Sequence, residues 1–258
     1  MLDIHPAHHA ATTWRDFFIH IATIVLGLLI AIGLEQTVEY FHHRHQVAET
    51  REALNKELEQ NQKTMASSVA EFRRLTTVVQ ANLAVFHYLE SHPRASQSSL
   101  PAKVNWHSAG SPFSESVWTT AQQGAVLGLM PPEEVRDQTR LYRMLQTCSN
   151  SFAAYRVANT DARAYTVDAA SVSNLSPAQI QEQIRLTRIV LNRLYRFGAD
   201  LRNLATRYPR FAPGPSIEEL ANIVHESPDQ RREIESQFPP EPSSPSQDSV
   251  SPQPDSKP

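Results

Sequence analysis

HIATIVLGLLIAIGLEQTVEYFHHRH, from His20 to His45, decides the architecture. It passes from nearly pure hydrocarbon through Glu35 and Glu39 into His42, His43, Arg44 and His45. Extended back to Phe17, the apolar part runs to Leu34 with only His20 and Thr23 as polar interruptions. As a helix it spans roughly 27 Å at about 1.5 Å per residue, close to a bilayer hydrocarbon core of about 30 Å. Trp14 stands at one end and Tyr40 beyond the other, where interfacial aromatics sit.

Three readings compete for this stretch. Cleavage of an export signal is conceivable after the small-x-small pair Ala31 and Gly33, but the preceding residues carry Arg15 against Asp3 and Asp16, not a positive start. The helical pattern also continues past that point. A soluble core helix that is apolar on every face needs burial on every side, and the remaining chain is too polar to wrap it. A membrane anchor is therefore the favoured reading, with residues 1–16 as an N-terminal tail and 17–34 as the span.

Within the span Thr23, Gly27 and Ala31 recur every fourth residue, a spacing that lets two helices approach closely. A helix-pairing face stands against the plain abundance of Gly and Ala in spans. Asp16, His20 and Glu35 share one side, within an arc of roughly 120°. His20 lies about one turn inside, so an interfacial histidine is preferred to a proton relay. Arg15 and the terminal amine balance Arg44 and Arg51, so positive charge leaves the orientation nearly tied. The short N-terminal tail gives the lean: N terminus inside, C-terminal domain periplasmic.

The helix is expected to continue to about residue 90, because no proline or glycine occurs between Glu35 and Glu90. Leu58, Met65, Phe72, Val79 and Phe86 recur at heptad spacing and form one apolar stripe. The second seam, Leu54, Asn61, Ser68, Leu75 and Asn82, is too polar for a two-stranded coiled coil, so packing within an intrachain bundle is favoured. His92-Pro93 ends the helix. Residues 93–114 read as a long loop in which Trp106 and Phe113 pack onto the bundle.

Further helices are expected over about 114–130, 132–168 and 177–206, with a short one over 217–226. The apolar side of the first is Val117, Trp118, Ala121, Val126 and Leu129. PPEEV places proline and acidic residues at the start of the second, where the helix dipole favours them. Ser176-Pro-Ala-Gln179 is a capping-box start for the third. The segment 239–258 is rich in proline and serine and cannot bury a core, so it reads as a disordered tail. No second span follows Leu34, and the reading is single-pass.

Few residues suggest chemistry. Glu39 and His42 have the spacing of one half of a di-iron motif, but no second copy occurs. His42, His43 and His45, with Glu39, are the weak metal candidates; the bland alternative is a polar collar at the membrane surface. Cys148 is the only cysteine and lies among apolar helix positions, which suits a small buried hydrophobe. The GAVLG run at Gly124 lacks the Lys-Ser/Thr ending of a phosphate loop. Trp118 and Tyr142 fit helical stripes and read as core anchors. A net charge of −3 gives no basic field for nucleic acid.

FFIHIATIVLGLLIAIGLEQTVEYFHHRH, beginning at Phe17, resembles the N-terminal anchor of a family of uncharacterised bacterial single-pass membrane proteins. SVWTTAQQGAVLGLMPPEEVRDQTRLYRML, beginning at Ser116, is similar to a Trp-x-x-Ala…Tyr helical segment in such proteins. The resemblance implies bacterial origin and an inner-membrane anchor, and it carries over no activity. The expected protein is all-α: a transmembrane helix continuing into a bundle of about four main helices. Its expected partners are the lipid bilayer, a second copy through the span, and an unidentified protein, with no nucleic acid and no cofactor. An anchored interaction or scaffold module is the leading function; the alternative is a ligand- or metal-responsive sensor without catalytic activity.

Overall fold

A computed structural model of the chain describes residues 14–106, 110, 113–167, 171–211, and 218, 220 and 222. Its first element, α1, is one unbroken helix from Trp14 to Ser91. Nothing in that stretch stops it: Gly27 and Gly33 sit where no neighbour approaches, and the first proline after them is Pro93. The helix ends one residue before His92-Pro93, as the sequence required. α2 spans Ser116–Gln123, α3 Pro132–Val167 and α4 Pro177–Arg207. Among the described residues there is no strand.

Side-chain pairs fix the directions of these helices. Arg51 meets Glu134, and Tyr142 meets Glu57, so α3 rises alongside α1 from its foot. Gln181 donates to Glu90, Gln80 to Tyr195, and Phe72 packs on Phe197, so α4 descends against both. The core is therefore a three-helix bundle of α1, α3 and α4. Leu58, Met65, Phe72, Val79 and Phe86 are all buried in it, as the heptad stripe required. Ser176 and Gln179 form the expected capping box at the start of α4, each side chain bonded to the other's backbone N–H.

Because α3 runs parallel to α1, the chain must return from the top of the bundle to its foot. The described residues of that connection, 92–106, 110 and 113–115, mark the descent of a strap against the bundle. Asn82 holds the strap high up: its Nδ2 donates to Asn105 O at 2.7 Å and its Oδ1 accepts from Asn105 N at 2.9 Å. Asn61, three heptads earlier, grips Ser114 in the same reciprocal way at 2.9 and 2.8 Å. Between them Asn159 donates to Trp106 O, and the Trp106 indole donates to Thr166 Oγ1. Trp106 and Phe113 are buried, as expected of the loop. The two asparagines of the second seam thus serve strap backbone, which explains why they are polar yet fully buried; Ser68, between them, is half-buried.

Truncating Asn82 tests this. Asn82→Ala leaves the Asn105 N–H and C=O without their buried partner, at a cost of about 1–3 kcal/mol. Limited proteolysis is expected to cut the strap near Asn105 first in that variant. Unchanged protection would show that Trp106, Asn159 and Asn61 hold the segment without Asn82.

The helix expected over 114–130 is divided. It stops at Gln123, Gly124 is extended (φ −91°, ψ 167°), and Ala125–Leu129 form a 3₁₀ turn. Gly124 and Gly128, two weak helix formers within five residues, account for the break. Trp118 and Ala121 face the core as expected, while Leu129 is exposed. Of the short helix expected over 217–226, Glu218, Leu220 and Asn222 are described and helical, and Leu220 is buried. Residues 1–13 and the Pro/Ser segment 239–258 lie outside the described residues.

Candidate functional site

Two regions concentrate unusual residues: the free-standing part of α1 and a polar node inside the bundle. The free part runs from Trp14 to Gln46; Val47 is the first buried residue of the helix. The apolar window here has none of its residues buried, and the helix is long and apolar enough to cross a membrane. Thr23 Oγ1 donates to Ile19 O at 2.8 Å and Thr37 Oγ1 to Gly33 O at 2.7 Å. Each hydroxyl is satisfied by its own helix, which makes it inexpensive in an apolar surround. Trp14 packs against Phe17 and Phe18 at 5.6 and 5.0 Å, forming an aromatic end.

Thr23, Gly27 and Ala31 lie along one exposed side of this free segment. The histidines are arranged differently. At about 100° per residue His42, His43 and His45 spread over roughly 160° of the helix. Each takes its own neighbour: His42 bonds Gln46 at 3.0 Å, His43 faces Glu39 at 3.8 Å and His45 faces Glu49 at 3.1 Å. Among the described residues no group of three or more His, Cys, Asp or Glu is placed to hold a metal ion.

The node is centred on Glu57, a carboxylate only 6% exposed. Its oxygens accept from Tyr142 Oη at 2.8 Å, Ser114 Oγ at 2.7 Å, Ser116 Oγ at 3.0 Å, Val117 N at 3.0 Å and Trp118 N at 3.3 Å. The last two are N–H groups of the first turn of α2, which no local side chain caps. Glu57 therefore caps α2 from another helix, where the dipole also favours its charge. The Tyr142 ring stacks on Trp118 with centroids 5.1 Å apart. No sequence motif marks Glu57, because its donors come from positions distant along the chain. Its one sequence signal is an acidic residue on the same face as Leu54 and Leu58.

Burial works to raise the Glu57 pKa, but the Val117 N–H and the Ser114, Tyr142 and Ser116 hydroxyls together hold it below the ordinary 4.5. Tyr142 is pushed up, first by burial and then by its bond to Glu57. A carboxyl with a depressed folded pKa adds stability above its unfolded value and loses it as pH falls through the folded one. Asp200, raised chiefly by burial, acts in the opposite sense. The Glu57 contribution is thus expected to fade below pH 4.5. Glu57→Gln should flatten that part of a stability-against-pH profile measured by urea unfolding; an unchanged profile would remove Glu57 as its source.

Cys148 is buried, and its thiol pKa is pushed up by that burial, which suits a packing role. A cleft of about 530 Å³ opens at the foot of the bundle between Thr50, Ala53, Val117, Ala121 and Val126. Its lining is mostly apolar. Comparison with protein families, curated proteins and solved structures finds no match to this chain.

Proposed function

We propose that this chain is a membrane-anchored helical interaction or scaffold module of a bacterial inner membrane. One observation carries the reading: α1 continues without a break from a fully exposed apolar segment into the core of the bundle. An apolar surface of that extent is costly in water and stable in lipid. With residues 17–34 in the bilayer, residues 35–46 form a single-helix stalk that holds the bundle off the surface. The three-helix body with its pinned strap then offers a platform for a partner. The N terminus is inside and the bundle periplasmic.

The test has two parts. Membranes from expressing cells are washed with alkaline carbonate; retention in the pellet supports the anchor, and release overturns it. Then Ser243→Cys in a Cys148→Ala background is treated on intact cells with a membrane-impermeant maleimide. Labelling before lysis agrees with a periplasmic bundle. Labelling only after lysis reverses the orientation and makes the partners cytosolic. A scaffold further requires that a constant protein partner co-purify after gentle cross-linking; recovery of this chain alone counts against a heterologous one.

A further inference from the structure

We propose that two copies of this chain pair in parallel along the face of α1 that carries Gly27, Ala31, Leu34, Val38 and Phe41. The inference rests on the anchor reading above and names a partner for it. Leu34, Val38 and Phe41 are 63%, 69% and 62% exposed, although Val38 and Phe41 lie beyond the span, toward water. Isolated exposed apolar residues need no explanation, but these share one face and continue the face of Gly27 and Ala31. From Gly27 through Ala31, Leu34, Val38, Phe41 and His45 to Ala48 the steps alternate four and three, the period of a two-helix seam.

The placement of this seam selects a second copy as the occupant. Val38 precedes Val47, the first buried position, by about two and a half turns at about 3.6 residues per turn. It therefore lies on the side of α1 opposite the one that packs α3 and α4. Two chains joined along it carry α3 and α4 outward. Lipid anchoring keeps both helices parallel and at the same height, which sets the register. In that register Arg44 of one chain faces Glu49 of the other, and the reverse pair forms by symmetry. Both side chains are exposed: Arg44 rests over the Tyr40 ring at 5.8 Å, and Glu49, at the rim of the foot cleft, contacts His45. The seam changes character with its surroundings: small residues in the span, where close approach drives pairing, and larger apolar ones on the stalk, where burial from water does. Glu52, at the next seam position, ends it.

The experiment uses the full chain with Cys148→Ala, reconstituted at low protein-to-lipid ratio in vesicles of phosphatidylethanolamine and phosphatidylglycerol. Single cysteines are placed at Val38 or Phe41 on the seam and at Gln36 or His43 on the opposite side, followed by mild oxidation. Pairing predicts that V38C and F41C become mostly disulfide-linked dimers, with several-fold less linkage for Q36C and H43C. Glu49→Lys should lower the V38C yield, and Arg44→Glu added to it should restore it. Equal linkage on both sides, or none at either, overturns the proposal. If the unlinked protein still floats with the vesicles, the seam is covered by lipid or a different protein and the anchor stands. If it does not float, the anchor fails and the pairing with it.

Discussion

Replacing Glu57 with alanine is expected to lower the stability of the bundle by about 3–5 kcal/mol, measured by urea unfolding of the full chain in detergent. The magnitude follows from which donors lose their acceptor. Ser114 and Ser116 are partly exposed, and their hydroxyls can turn to water. Tyr142 and Trp118 are buried, and the Val117 and Trp118 N–H groups sit at a helix start with no other cap. Three stranded donors at about 1–3 kcal/mol each account for the loss. Glu57→Gln retains one acceptor oxygen and should lose less. Tyr142→Phe alone should cost about 1 kcal/mol, since the carboxylate keeps its other donors. The double variant E57A/Y142F should fall short of the sum, because both changes remove the same bond. A loss below about 1 kcal/mol for E57A would mean that the start of α2 is held by apolar packing and does not depend on this cap.

A comparable loss, about 3–5 kcal/mol, is expected for Phe72→Ala. The Phe72 ring is fully buried, packs edge-on against Phe197, and lies directly over the backbone of Gly198. A Cβ built on Gly198 would stand under 3.0 Å from Cζ, Cε1 and Cε2 of that ring. Glycine inside α4 costs about 1 kcal/mol of helix propensity relative to alanine, so this position sacrifices propensity for close approach. Gly198→Ala recovers that propensity but overpacks a ring with nowhere to go, which costs about 1–3 kcal/mol. Net destabilisation is the expected result. Phe72→Leu should relieve it, so that G198A costs less in an F72L background than in the wild type. A stabilising G198A would show that α4 shifts to admit the extra carbon and that the contact does not set the helix spacing.

The two predictions mark different limits of sequence reading. Phe72 was legible, because a residue on a heptad stripe announces its burial. Its partner was not, because a glycine within the α4 pattern gives no sign of which ring lies over it. Glu57 was less legible still: an acidic residue in a helix reads as solvated unless its donors are known. Asn61 and Asn82 were seen as polar residues in an apolar seam, which correctly argued against a coiled coil along that seam. Their reason emerged only once the strap was placed beside them. The division of the segment after Ser114 was signalled by Gly124 and Gly128, a local cue outweighed in the sequence reading by the apolar spacing of Val126 and Leu129.

By itself the sequence determined everything that depends on local period, length and capping. That includes the long uninterrupted α1, its apolar first quarter, its stop before Pro93, the cap of α4 and the heptad stripe of α1. Tertiary structure alone decided the route of the chain between them. Parallel α1 and α3 oblige the chain to return to the foot of the bundle, and that descent brings N–H and C=O groups of Asn105, Trp106 and Ser114 into contact with buried asparagines. Buried backbone groups must be paired, so Asn61, Asn82 and Asn159 meet the strap and Glu57 meets the first turn of α2. Such pairings join positions far apart in sequence, and no periodicity of one segment can encode them.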